Sequence, residues 1–170
     1  VSSNSATART RSIGVGGLAI DVSNPTATVD SVTEAVSLGD LSANSVSITA
    51  TGNDDRTTAG ADSLAVGGIA IGFSSVTART APVVRAVGGG AMRAGNHVTI
   101  AAVSNADADA AADSLSVGIG VTINFLTADV SVEPEVGVDI ESGTIIEAEG
   151  TLTLRASQGK APVAYADGKF

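Results

Sequence analysis

The sequence predicts an all-β fold, a β-solenoid built from about three repeats of 51–54 residues. Three observations lead there. The chain repeats itself at a nearly fixed spacing, its segments alternate with a period of two, and its apolar residues are small.

The repeat is carried by Ser12-Ile13-Gly14-Val15-Gly16, which returns as Ser63-Leu64-Ala65-Val66-Gly67 and again as Ser114-Leu115-Ser116-Val117-Gly118, 51 residues apart each time. In the same register Gly17 meets Gly68, Ala19 meets Ala70, Ile20 meets Ile71 and Ser23 meets Ser74. Thr26-Ala27 aligns with Thr77-Ala78 and, in the third copy, with Thr127-Ala128. Val46-Ser47-Ile48 aligns with Val98-Thr99-Ile100 and Leu152-Thr153-Leu154, at spacings of 52 and 54. Small insertions therefore accumulate, mainly over residues 136–150. The chain divides as a single repeat array: residues 1–50, 51–102, 103–156 and a partial fourth unit, 157–170.

The elements follow in order along each unit. Val46-Ser47-Ile48-Thr49 and its counterparts alternate with period two, as strands with one buried face do. Leu126, Ala128, Val130 and Val132 lie on one face, opposite Asp129 and Ser131. Past Pro134 the alternation resumes at Val136, Val138 and Ile140, opposite Asp139 and Glu141. Turn residues punctuate these runs at Ser23-Asn24-Pro25, Gly39-Asp40, Gly52-Asn53-Asp54, Gly88-Gly89-Gly90, Gly95-Asn96 and Ser142-Gly143. The Ala-rich run Ala106 to Ala112 is the one helix candidate. Its counterparts contain Thr57, Thr58 and Gly60, so it is read as strand.

Residues 13–22, 64–73 and 115–125 are apolar at nearly every position and dense in Gly. They are expected to be strands buried on both faces, with close neighbours. Hydrophobic residues make up 44 % of the chain, yet the aromatic ones are only Phe73, Phe125, Tyr165 and Phe170. Such a core is thin, because interior packing density brings the backbones around small side chains close together. A coil of about 51 residues is large, so each repeat is expected to hold more than one coil or a hairpin excursion. The alternative architecture is a row of small β-sandwich or meander units, which usually needs a heavier aromatic core.

The pattern carried by Ser63 to Ile71, Thr77-Ala78 and Val98 to Ala101, with their counterparts, resembles the β-strand repeats of large bacterial filamentous adhesins. It is similar as well to the passenger repeats of autotransporters. The resemblance covers nearly the whole chain. It implies a secreted, elongated β-helical stalk or filament without catalytic activity, and an extracellular or cell-surface location.

Several function classes are excluded or disfavoured by the residues themselves. The net charge is −9, and no basic stripe exists to displace counterions from a nucleic acid. No apolar stretch approaches the roughly 20 residues that span a bilayer as a helix, so membrane insertion is not expected. The chain has no Cys, which removes disulfides, zinc–thiolate sites and thiol nucleophiles. Val1-Ser2-Ser3-Asn4 has neither Met nor a signal-peptide pattern, and reads as the start of a processed product or of a piece of something longer.

His97 is the only His and stands where neighbouring repeats have Ser45 and Thr151. It is read as an exposed strand-edge residue rather than a general base. Asp54-Asp55, the set Asp107, Asp109 and Asp113, and Glu133 with Glu135 supply oxygen ligands of the kind Ca²⁺ takes. They do not recur between repeats and are read as a solvated acidic face. Gly16-Gly17, Gly67-Gly68 and Gly88-Gly90 lack the Lys-Ser/Thr ending of a phosphate loop. The Thr pairs Thr26/Thr28 and Thr151/Thr153 fall in different parts of their repeats, and do not make an ice-binding ladder. No catalytic, metal or cofactor site is assigned. The expected function is a structural or adhesive module whose partners are copies of itself or the rest of a longer adhesin. The alternative is a Ca²⁺- or polysaccharide-binding surface module.

Overall fold

The computed structural model describes residues 1–53 and 55–159, and the backbone of residues 163–169. The chain is all-β, with 82 % of it in strands and no helix among the described residues. The strands are β1 (Ser5–Ser23), β2 (Thr26–Val29), β3 (Val32–Ser37), β4 (Leu41–Gly52), β5 (Arg56–Thr80), β6 (Val83–Gly88), β7 (Ala91–Ser104), β8 (Asp107–Val132), β9 (Glu135–Ile140), β10 (Ile145–Ala148), β11 (Leu152–Gln158) and β12 (Val163–Lys169). Residues 107–112 of the Ala-rich run belong to β8 and are strand, paired with Arg56 to Ala61, while Ala106 lies just before it.

Three sheets form, and their strand pairs are parallel. One runs β1-β5-β8-β12 with β2 also on β5, one joins β4, β10 and β11 to β7, and the third runs β3-β6-β9. Sandwich or meander units built from consecutive hairpins would pair antiparallel instead. Parallel neighbours so far apart in sequence need a long connection, and here the other two sheets supply it.

Register is set by small differences in length. β1 pairs with β5 from Ser5–Arg56 to Ser23–Ser74, the 51-residue offset that also joins Ser63 to Ser114. The β5–β8 register slips by one between Gly67 and Ile69, so that Ile69 meets Val121. A similar slip between Ala43 and Ser45 places Ser45 opposite His97. Two more residues enter between β9, where Gly88 meets Ile140, and β10, where Ala91 meets Ile145. The insertions expected over residues 136–150 thus lie in the turn at Gly143, while another falls earlier.

That earlier slip overturns one alignment. Thr26-Ala27 does pair with Thr77-Ala78, but Thr77-Ala78 pairs with Asp129-Val130, and Thr127 stands opposite Ser75. The extra residue at the Gly118–Val121 corner shifts everything after it, and the third Thr-Ala dipeptide, Thr127-Ala128, is a coincidence of composition.

Turn chemistry marks the corners. Pro25, Pro82 and Pro134 sit between strands, where a missing N–H breaks no ladder. The Pro25 and Pro82 carbonyls still accept from Thr77 N and Glu135 N at 3.1 and 2.9 Å. Gly90 (φ 77°) turns β6 into β7, and Gly143 (φ 83°) turns β9 toward β10.

Two cores fill the body. The wider one packs Val46, Ile48, Val84, Met92, Val98 and Ile100 between the β4/β7 and β3/β6 sheets, with Val136, Val138 and Ile146 against it. The narrower one is almost all Ala: Ala27, Ala59, Ala61, Ala78, Ala108, Ala110 and Ala112, with Val76. Leu126, Ala128, Val130 and Val132 turn toward this core as their alternation predicts. Ile140, placed in sequence on the same inward face as Val136 and Val138, is instead exposed at the end of β9.

Candidate functional site: an exposed apolar arch and an ion-pair ladder

The long strands β1, β5 and β8 fold back on themselves. In β5 the two limbs already face each other near the body, where Thr57 Oγ1 lies 2.6 Å from Thr80 Oγ1 and donates to the Arg79 carbonyl at 2.9 Å. Farther out, side-chain hydrogen bonds join the limbs. Ser12 Oγ donates to Asp21 Oδ2 at 2.9 Å across β1. In β8, Ser114 Oγ donates to Asn124 Oδ1 at 3.0 Å, and Ser116 Oγ donates to the same oxygen. Ala19, Ala65 and Ala70 pack between the limbs.

The tip of the β5 arch requires Gly. A Cβ on Gly67 would stand 2.3 Å from the Gly16 carbonyl oxygen, so no side chain fits there without moving backbone. Farther down, Gly72 lies in register between Asp21 and Asn124. A Cβ on Gly72 would come within 2.6 Å of Ser114 Oγ and 2.7 Å of Asn124 Oδ1. The missing side chain in the middle rung leaves space for the polar contact of the rung above.

This geometry corrects the expectation that residues 13–22, 64–73 and 115–125 are buried on both faces. Only the small side chains are inside. Ala70 is fully buried, whereas Val15 is 75 % exposed, Ile20 54 %, Phe125 53 % and Ile119 100 %. The large side chains point away from the arch on both limbs because its interior admits only Gly, Ala, Ser and short polar groups. A sequence signal for this existed. In the first two copies the large residues sit at 13 and 15, then at 18, 20 and 22 (64, 66, then 69, 71 and 73), changing parity at the Gly pair. A phase slip of that kind marks a reversal of the chain. The third copy hides it, because one extra residue at the tip restores the parity.

Phe73 and Phe125 stack along the return limb, with ring centroids 4.8 Å apart and planes 7° from parallel, and Val22 continues the column. This outward face of β1, β5 and β8 forms regular apolar ladders without a charged group.

The acidic residues are placed differently. Arg56 pairs with Asp109 at 2.7 Å, Arg79 with Glu133 at 3.0 Å and Arg93 with Glu147 at 2.9 Å, and Arg85 pairs with Glu135. Each pair joins β5, β6 or β7 to β8, β9 or β10 or the turn between them. The Glu133 carboxyl is held below the ordinary range, first by a hydrogen bond from Ser131 and then by Arg79. The Arg85 guanidinium is held above its ordinary value by its hydrogen bond to Glu135 and by that carboxylate's charge.

Among the described residues the candidate Ca²⁺ ligands are not gathered into a cage. Asp55 is fully buried and accepts from Asn4 N, Asn4 Nδ2 and Ser31 Oγ at 3.1, 3.0 and 3.0 Å. It ties a corner of the fold together. Asp107, Asp109 and Asp113 are strung along β8, with Asp109 on Arg56. Asp54 lies outside the described residues. Among the described residues no three His, Cys, Asp or Glu side chains group to hold a metal ion. His97 is exposed beside Ser45. Thr26 and Thr28 belong to β2, and Thr153 to β11, in different sheets. A surface hollow of about 520 Å³ is an open groove lined by Ser42, Ala43, Arg93, Glu147 and their neighbours. Among the described residues no helix is long and apolar enough to cross a membrane.

No protein-family model, curated protein or solved structure matches this chain.

Proposed function

We propose that this chain is a stretch of β-solenoid rod, a structural and adhesive segment displayed outside a microbial cell. The observation that carries the reading is the register: strands about 51–54 residues apart pair in parallel in all three sheets. Each of the units 1–50, 51–102 and 103–156 then forms one wide coil with the arch as its excursion, and the partial unit 157–170 contributes β12. The calls that rest on residues 160–162 and 170 lie outside the described residues. In a stack of this kind each unit contacts only its neighbours, so stability grows with unit number and length is the functional property.

Charge makes the order of units specific. Residues 51–102 carry four Arg and three Asp, while residues 103–156 carry ten acidic residues and one Arg. The four ion pairs Arg56–Asp109, Arg79–Glu133, Arg85–Glu135 and Arg93–Glu147 run between these two units. Exposed single pairs stabilise little, but a unit stacked in the wrong order would bring like charges together. Beyond the last rung, unpaired strand edges accept a further unit, from the same polypeptide or from another copy. The Ca²⁺-binding alternative has less support, since Arg side chains engage three of its candidate ligands.

The test is unit duplication. Inserting a second copy of residues 52–102 after residue 102, with Arg56→Gln, Arg79→Gln, Arg85→Gln and Arg93→Gln in the first of the two copies so that no Arg stacks on Arg, should give a soluble protein that unfolds cooperatively at an equal or higher temperature. X-ray scattering should show it longer along one axis by about one strand spacing, 4.8 Å. Loss of cooperative folding would contradict a stack. Protease shaving of intact source cells tests the external location, since an internal protein survives it.

A further inference from the structure

We infer that the return-limb face of the arch is a self-association surface, on which a second copy of this chain docks by the same face. The inference goes beyond the rod: it concerns lateral contact and holds whatever lies at the two ends.

Three features select a second copy as the occupant. The first is spacing. Leu18, Ile20 and Val22 of β1 stand in register with rungs of β5 and β8, which repeat at roughly 4.8 Å. Only a surface with that same period meets every rung, and another copy has it by construction. The second is charge. The chain carries a net −9, so two copies repel over most of their surfaces, whereas the return limb from Leu18 to Phe73 and Phe125 presents no charged side chain outward. The third is area. With Leu18 61 %, Ile20 54 %, Val22 65 %, Ile69 43 %, Phe73 39 %, Val121 53 % and Phe125 53 % exposed, the face is one contiguous apolar patch across three strands, the kind of extent a stable interface needs when each partner gives about 800 Å². Isolated exposed Leu or Val needs no explanation, but a contiguous uncharged patch of this size does.

A two-fold pairing satisfies the geometry, because each copy then offers the same ladder to the other. The face, with side chains at strand spacing and the Phe73–Phe125 stack near its base, is suited to dry interdigitation of the kind seen between paired sheets.

The experiment is sedimentation equilibrium of the full chain across a concentration series. Wild type should dimerise. Ile20→Thr/Phe73→Thr, on the return limb, should weaken the dimer on the order of 100-fold. Leu64→Thr/Val66→Thr, on the outgoing limb, should leave it intact. Circular dichroism confirms that each variant stays folded. A second measurement needs no apolar-to-polar change in the core: the chain has no Cys, so Phe73→Cys should oxidise to a disulfide-linked dimer and Ser47→Cys, on another sheet, should not. A monomeric wild type overturns the proposal, as does equal weakening by both double variants. Monomers that sediment only with phosphatidylcholine vesicles would give the face to a membrane instead and equally overturn it.

Discussion

Along β5 the outward residues nearest the body are Arg56, Thr58, Gly60 and Asp62 on the way out, and Ser75, Thr77 and Arg79 on the way back. Beyond them the outward residues become Leu64, Val66, Ile69, Ile71 and Phe73. The inward residues hardly change: Ala and Thr with Val76 near the body, Ala, Gly and Ser farther out. The same boundary falls in β1 between Arg11 and Ile13, and in β8 between Asp113 and Leu115. Two regions of one strand thus share an interior rule and obey opposite exterior ones. Folding the limbs together explains the small interior residues in both. It does not explain the apolar exterior of the arch, because water would accept polar side chains there as it does near the body. The difference points to contact with something other than solvent.

The sharpest way to break the comparison is to truncate one residue in each region. Ile100 is fully buried in the wide core, so Ile100→Ala should cost about 3–4 kcal/mol in chemical denaturation. Phe125→Ser, on the exposed arch face, should cost less than about 1 kcal/mol in a dilute monomer. Equal losses would mean that the arch is buried after all. Next in size is Gly72→Val, which should destabilise by about 2–3 kcal/mol because its side chain would collide with Ser114 and Asn124. The exposed Gly39, with no atom near its Cβ direction, serves as the control, and Gly39→Ala should be nearly silent.

How much of this was legible beforehand depended on which force set each residue. Strand identity and the inward face of Leu126 to Val132 were readable, since a period of two needs only the local backbone. The pairing of Val46 with Val98 and Leu152 was readable because related sequences stack on themselves. The arch was misread because apolar residues at nearly every position look the same in a doubly buried strand and in a folded-back exposed one. Only the parity change at Gly16-Gly17 and Gly67-Gly68 separated the two. Asp55 was weighed as a metal ligand, and its capture by Asn4 and Ser31 depends on a corner brought together from residues 51 and 24 positions away. No local pattern announces such a contact.

Smaller effects sharpen the picture further. Ser74 Oγ is buried at the base of the arch and makes no hydrogen bond, which leaves a desolvated polar group uncompensated. Ser74→Ala should therefore raise stability, by up to about 1 kcal/mol, measured as a shift in the denaturation midpoint. The smallest effect is electrostatic. Because the Glu133 carboxyl is held below its ordinary range, its contribution is fully present above the usual Glu pKa and fades as pH falls through the lowered value. Glu133→Gln should remove only that part of the acid loss, seen as a slightly flatter melting-temperature profile below about pH 4.5.

The account rests on one claim above the others, that strands about 51–54 residues apart are adjacent and parallel in the order Ser47, Thr99, Thr153. The absence of Cys makes this directly measurable. Adjacent rungs lie roughly 4.8 Å apart, within disulfide reach, while alternate rungs lie roughly 10 Å apart, beyond it. In dilute protein, Ser47→Cys/Thr99→Cys and Thr99→Cys/Thr153→Cys should oxidise within the chain, and Ser47→Cys/Thr153→Cys should not. Ready crosslinking of the last pair, or failure of the first two in folded protein, would contradict the stack.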